Sequence, residues 1–432
     1  MRKLFLLSLV IFLVITAIGV TKVTMVYWPG PESEAMQKVV EWWNKTEGKK
    51  LGIEVEIINF SREGFWTKQE TMLAAHSPAI DIVFVATYIL GRLAQHLVPL
   101  EGFNLNPDIF IASALESMSY EGLLYGLPMD VSNHFLYYRK DLMERLLTNE
   151  DWKKRYEELS EKYLGKKLSP KPPEEWNWDD YKATAIFFTK KYNKESPTAY
   201  GNVLQMKNLV YNVMIWNDVL WSMGGKWFDE KGNFNIVTEP AEKAALLYKE
   251  LYDMGTVPPG VTTYEFGEAN EAFKTGKAFM MIQWSAAYHI LTDPNISPLV
   301  YDKVAIAPIP GPKPSTHVHS LGVALSKYSK KKDAALKFLA FLSTEEAMRM
   351  YAENGGIPPV EPILMSMGDK RPEFPKIAEH VKKYGFVEST RGETMSILKV
   401  LSDELTAIWT SQVNVKEGLM RAQKKVEELI GR

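Results

Sequence analysis

Three short apolar segments near the start of the chain, separated by stretches of helical periodicity, restrict the fold more than any other feature. Lys22–Tyr27 reads as a strand and is stopped by Trp28-Pro29-Gly30-Pro31. Ala35, Met36, Val39, Val40 and Trp43 then recur at helical spacing. Ile53–Ile58 reads as a second strand and Phe65–His76 as a second helix. Ala79–Ala86 is almost continuously apolar, the pattern of a strand covered on both faces. Strand–helix–strand alternation at this spacing predicts right-handed crossovers and a mainly parallel α/β sheet. In such sheets a ligand sits beyond the carboxyl ends of the strands, where loops and helix N-termini converge.

The first twenty residues speak about location. Arg2 and Lys3 precede an apolar run, Leu4–Val20, and Ala17 and Gly19 supply small residues two apart. That run is about 17 residues, short for a membrane span and suited to a signal peptide. Residues 1–19 are therefore expected to be a signal peptide of an exported protein, periplasmic or extracellular, with an uncleaved membrane anchor as the alternative. The 432 residues contain no cysteine, which excludes disulfides, thiolate metal sites, a cysteine nucleophile and a lipid-bearing cysteine. Lys plus Arg number 51 against 53 Asp plus Glu, and the longest basic run is Lys330–Lys332. That balance speaks against a nucleic-acid partner.

Further along, Gly126-Leu127-Pro128 reads as a turn into a strand at Phe135–Tyr138. Residues 145–173 read as a charged helical excursion. Helices dominate 178–255, with a loop at Gly224-Gly225. Ala278–Gln283 and Lys303–Ile309 are strand candidates, and Gly322–Leu325 precedes a helix with Ala335, Phe338, Leu339 and Leu342 in its apolar stripe. Ser343-Thr-Glu-Glu346 reads as a capping box. Two amphipathic helices close the chain, and no internal repeat is present.

Nucleotide-binding, P-loop, zinc-protease and serine-hydrolase motifs are missing from the sequence. His317-Val-His319 puts two imidazoles on one strand face but no third ligand follows from the sequence, so neither metal nor cofactor is expected. Asn44-Lys-Thr46 and Asn295-Ile-Ser297 fit the glycosylation pattern, relevant only to a eukaryotic secretory route. Aromatic content is high, with 12 Trp, 20 Tyr and 19 Phe. Sugars offer C–H faces to flat rings and a rim of hydroxyls to Asp, Glu, Asn, Gln and Arg. Several aromatics here follow expected strands beside polar residues: Trp28 near Glu32, Trp66 near Arg62 and Glu63, Tyr88, and Trp284 after Gln283. Trp43 and Trp409 sit in amphipathic helices and are expected in the core.

Pro128-Met-Asp-Val-Ser-Asn-His-Phe-Leu-Tyr-Tyr-Arg-Lys-Asp-Leu142 resembles a segment of the family 1 extracellular solute-binding proteins of ABC importers, with Phe135 and Arg139 departing from the usual pattern. Ala79-Ile-Asp-Ile-Val, Gly276–Trp284, Gly322–Leu325 through Phe341–Ala347 and Gly356-Ile-Pro-Pro, and Ser411–Leu419 resemble further family segments in the same order. The resemblance implies two α/β lobes with the ligand between them. Residues 20–128 plus 321–385 would form the N-terminal lobe and 129–320 plus 386–432 the C-terminal lobe, with crossings near Leu127–Val131, Ser320–Gly322 and Phe386–Arg391. Carried over onto this chain, the ligand contacts would be Trp28, Glu32, Trp66, Tyr88, Asp130, Gln205, Trp216, Trp284, His319 and Arg391. No catalytic residue is implied. The implied partners are a small-molecule solute, most typically an oligosaccharide, and the importer's membrane permease, with the chain acting as a monomer. A secreted glycoside hydrolase, or a binder of a non-sugar solute on the same scaffold, are the alternatives.

Overall fold

A computed structural model describes residues 19–61 and 63–431; the expected signal segment up to residue 18, and Arg62, lie outside the described residues. Thirteen strands occur among them. They are β1 (Thr21–Tyr27), β2 (Ile53–Asn59), β3 (Ile82–Ala86), β4 (Leu97–Val98), β5 (Ser119–Tyr120), β6 (Leu123–Leu124), β7 (Gly126–Ser132), β8 (His134–Arg139), β9 (Tyr200–Val203), β10 (Ala278–Trp284), β11 (Val304–Ala307), β12 (Thr316–Ser326) and β13 (Gly385–Val387). Seven of them form one sheet along the path β13-β12-β3-β1-β2, with β4 and β7 also on β12. Four form a second sheet, β11-β8-β10-β9, and β5 with β6 makes a small hairpin.

The apolar run at Ala79–Ala86 becomes β3, every residue of which is buried, between β1 on one side and β12 on the other. Parallel pairing holds where crossover helices join the strands, at β1–β2 and β1–β3. The sheets are mixed elsewhere, because β12 returns from the second sheet and meets β3 and β7 head to tail. The second sheet likewise pairs β8 antiparallel to β10 and β11, and β9 parallel to β10.

The chain leaves the first sheet at Asn133, between β7 and β8, just beyond the expected Leu127–Val131. Gly126–Pro128 is strand, not turn. Pro128 is tolerated because β7 pairs with β12 alone, so one edge needs no N–H. The expected crossing at Ser320–Gly322 lies inside β12, where a bulge between Leu321 and Gly322 interrupts the register with β7. Thr344, not Ser343, caps the helix Glu345–Glu353, its hydroxyl accepting from Ala347 N–H at 3.3 Å. The glycosylation pattern at Asn44 has another use here: the side-chain amide donates to Val55 O and accepts from Val55 N–H, both at 2.8 Å.

Trp43 packs on Phe338 and Phe341, and Trp409 on Tyr248, both tryptophans buried as expected. The first sheet is locked by one acid. Asp81, buried at the entrance to β3, accepts from Thr24 N–H and Lys331 Nζ at 2.8 Å each and from Ser329 Oγ at 2.6 Å. It thus ties β1, β3 and the turn after β12. Asp81→Ala leaves three donors unmatched and should cost about 2–3 kcal/mol of unfolding free energy in urea. A loss below about 1 kcal/mol would show that water replaces the carboxylate.

Candidate functional site

A hollow of about 310 Å³ opens between the two sheets. The larger lobe contributes Trp28 after β1, Glu32 in the first turn of the helix Pro31–Lys45, Tyr88 after β3, and His319 on β12. The smaller lobe contributes Gln205 beyond β9, Tyr211 at the start of the helix Val210–Ser222, Glu265 at the cap of the helix Phe266–Lys274, and Trp284 at the end of β10. Four of these eight positions, Trp28, Tyr88, Gln205 and Trp284, stand at or just beyond a strand's carboxyl end, where an α/β sheet exposes its loops. Larger hollows, of about 430 and 530 Å³, lie on one lobe among surface charges or loop prolines and draw no walls from both sheets.

Aromatic packing fixes the larger lobe's wall. Trp28 meets Phe65, Phe84 and Trp66 edge-on at 5.3, 4.8 and 5.5 Å, and Trp66 meets Tyr88 edge-on at 5.8 Å. Each such pair adds about 0.5–1.5 kcal/mol beyond area burial, so the rings are held in place before any ligand arrives. Trp66 therefore props two lining rings. Across the gap, Tyr211 stands 6.2 Å from Tyr88. Gln205 donates its amide to Gln283 Oε1 at 3.0 Å, and Gln283 donates in turn to Asn270 Oδ1 at 3.0 Å. That relay orients Gln205 from behind.

Below Trp284 lies a buried histidine cluster. His134 Nδ1 is 2.6 Å from Asp218 Oδ2, and Asp218 Oδ1 accepts from His317 N–H at 2.6 Å. The carboxylate thus joins β8, β12 and the helix Val210–Ser222 under the hollow. Burial raises the Asp218 carboxyl, and the adjacent His134 counteracts it. Burial drives His317 well down, and pushes His319 down to about 3, with the neighbouring His134 adding to both. Both rings are neutral at ordinary pH, and stacked rings 6.1 Å apart do not converge on a cation. Among the described residues no set of three His, Cys, Asp or Glu side chains is placed to hold a metal.

Trp28, Glu32, Tyr88, Gln205, Trp284 and His319 are thus brought to one hollow, with Trp66 behind two of them. Three expected residues stand elsewhere. Trp216 is wholly buried, because the helix Val210–Ser222 is enclosed on almost every side and turns that ring into the core. Asp130 is a buried fastener. Its Oδ2 accepts from Ile357 N–H at 2.8 Å and Tyr351 Oη at 3.1 Å, while burial, helped by Glu32, pushes its carboxyl up to about 8. Arg391 lies over the Phe228 ring at 4.5 Å beside a second hollow. Sequence reasoning missed Tyr211 and Glu265. Tyr211 sits in a helix without a polar face, and Glu265 carries only the signal of a helix cap.

His319 sets a pH dependence. An unfolded histidine titrates near 6.5, so a native ring held down to about 3 contributes stability that is full above 6.5 and lost as pH falls. Between pH 6.5 and 5 this amounts to about 2 kcal/mol for one ring. Urea unfolding at pH 7 and pH 5 should show His319→Gln losing about 2 kcal/mol less than the unaltered protein. Equal losses would place His319 in contact with solvent.

Comparison with known proteins agrees with this geometry. The family model described as bacterial extracellular solute-binding protein matches residues 28–349. A binding protein of Brucella abortus (strain 2308) is 28% identical over 341 residues, spanning 77% of this chain and 73% of that one. An amino-acid ABC transporter periplasmic-binding protein of Sinorhizobium fredii is 24% identical over 47% of this chain and 51% of its own length. The mannitol-binding protein of Pseudomonas aeruginosa is 25% identical over 68% of this chain and 62% of its own. Maltose-bound MalE3 of T. maritima superposes with a TM-score of 0.74 over 95% of this chain and 100% of that structure, at 22% identity. With a two-lobed α/β fold, a hollow between the lobes and a family match along most of its length, the chain belongs to the bacterial extracellular solute-binding proteins, which serve ABC transporters.

Proposed function

We propose that the protein captures a carbohydrate, a disaccharide or oligosaccharide, outside the cytoplasmic membrane and presents it to the permease of an ABC importer. The observation that carries this reading is the wall of the hollow, where Trp28 and Tyr88 from one lobe face Trp284 and Tyr211 from the other, with Glu32, Gln205 and Glu265 between them. Ring faces suit the C–H faces of sugars, and carboxylates and amides suit hydroxyls. A relative named mannitol-binding protein and a similar structure holding maltose support a sugar or sugar-alcohol solute. The positive, apolar N-terminus supports export by a signal peptide.

Binding works through closure and breaks no bond. A ligand touching both lobes favours the closed form only by its differential affinity. Moving the balance from 1:99 to 99:1 takes about 5.5 kcal/mol. Stacking supplies about 1–3 kcal/mol per ring, so two or three rings with a few charged hydrogen bonds reach that amount.

Two other readings have an observation each. The Sinorhizobium relative favours an amino acid as solute. Glu32 and Glu265 reach the hollow from opposite lobes, as the two acids of a glycosidase would. A thermal-shift screen with maltose, galacto-oligosaccharides, mannitol and amino acids separates them. A sugar at a hundred times its Kd should add about 2.7 kcal/mol and be recovered intact. Response to amino acids alone would overturn the sugar reading, and released product would overturn binding without chemistry. Trp284→Ala should weaken the binding sugar by about 1–3 kcal/mol in calorimetry, and unchanged affinity would remove that ring from the site.

A further inference from the structure

Trp284, the indole that the smaller lobe offers to the gap, is the last residue of β10. Its direct partner across the antiparallel register is His134, the first residue of β8. Opposite residues on paired strands project on the same face, so the two rings meet. They do so at 70°, with centroids 4.0 Å apart. His317 and His319 approach the same indole at 5.7 and 6.1 Å, also steeply inclined. On the larger lobe Trp28 is braced by Phe65, Trp66 and Phe84, whereas the rings that brace Trp284 are imidazoles.

An imidazole brace is only as fixed as its hydrogen bonds. His134 Nε2 is buried with no partner among the described residues, so the ring is oriented from Nδ1, 2.6 Å from Asp218 Oδ2. An ionised carboxylate can only accept, which keeps the proton on Nδ1 and the ring in one tautomer. The backbone of His134 is pinned separately by Thr316 Oγ1, which accepts from its N–H at 2.9 Å and donates to its carbonyl at 2.8 Å. The second oxygen of Asp218 accepts from His317 N–H at 2.6 Å. One carboxylate thus holds the imidazole nearest the indole and the strand that carries the other two. Both His134 and Asp218 are wholly buried and neither lines the hollow, so any effect on affinity passes through the residues they hold.

We propose that Asp218 and His134 are a positioning pair for solute binding: the carboxylate orients the imidazole, and the imidazole holds the Trp284 indole in the tilt that faces the gap. This rests on the reading of Trp284 as a solute contact and holds for any class of solute. A ring held in place beforehand loses less freedom when the solute arrives, which raises affinity without a new contact.

A double-substitution cycle read by calorimetry tests it, with maltose, galacto-oligosaccharides, mannitol and amino acids as probes. His134→Asn keeps a donor near the Nδ1 position for Asp218 and removes the ring edge against the indole. It should weaken the tightest-binding probe about three- to tenfold when Trp284 is present, and by less than about twofold in a Trp284→Ala background. Asp218→Ala should act in the same direction. Asp218→Asn, which retains an acceptor for His317 N–H and a polar partner for Nδ1, should recover most of that loss. A purely structural role would lower the melting temperature and weaken binding equally with and without Trp284. Equal losses in the two backgrounds, or unchanged affinity in His134→Asn, would overturn the positioning pair while leaving the solute site intact. Failure of every probe to bind, or unchanged affinity in Trp284→Ala, would overturn the reading of that site and this inference with it.

Discussion

Strand β12 is the constraint on which the rest of the structure depends. All eleven of its residues, Thr316–Ser326, are buried, so its backbone donors and acceptors must find partners inside the protein. It meets that demand with β13 along its first third and with β3, β4 and β7 beyond it. Arriving from the second sheet, it carries His317 and His319 past the gap between the lobes. The Asp218 carboxylate holds the backbone of His317 and the ring of His134 together, so the floor of the gap is built from both sheets.

A floor of neutral, desolvated rings has a consequence for recognition. Because burial keeps His317 and His319 uncharged, the floor of the gap presents polarizable surface, and the acidic groups stand on its walls. Glu32 and Glu265 supply carboxyl oxygens from opposite walls. The walls are pre-assembled on the larger lobe, where Trp28, Phe65, Trp66 and Phe84 pack on one another. Binding free energy can then be directed to closure instead of ordering side chains.

The sequence made some of this legible because the signals were local. Strand β3 announces itself as an unbroken apolar run, and Trp28, Tyr88 and Trp284, each at or just past a strand's end, all line the hollow. What was misread depends on distant partners. Asp130 owes its role to Tyr351 and Ile357, 221 and 227 residues away. Gly126 and Pro128 suggested a turn until β12, nearly two hundred residues later, supplied the pairing. Trp216 lies in a helix apolar around its whole circumference, where periodicity marks no inward face.

Closure of the two lobes on a solute is measured directly by a distance across the gap. The chain contains no cysteine, so Gln37→Cys on the larger lobe and Lys243→Cys on the smaller provide a clean pair of spin-label positions, both exposed on helices. Pulsed electron–electron resonance should show one distance distribution in the free protein and a shorter, narrower one with the tightest-binding sugar at saturation. An unchanged distribution, with calorimetry confirming that the sugar is bound, would contradict closure as the event that the transporter reads.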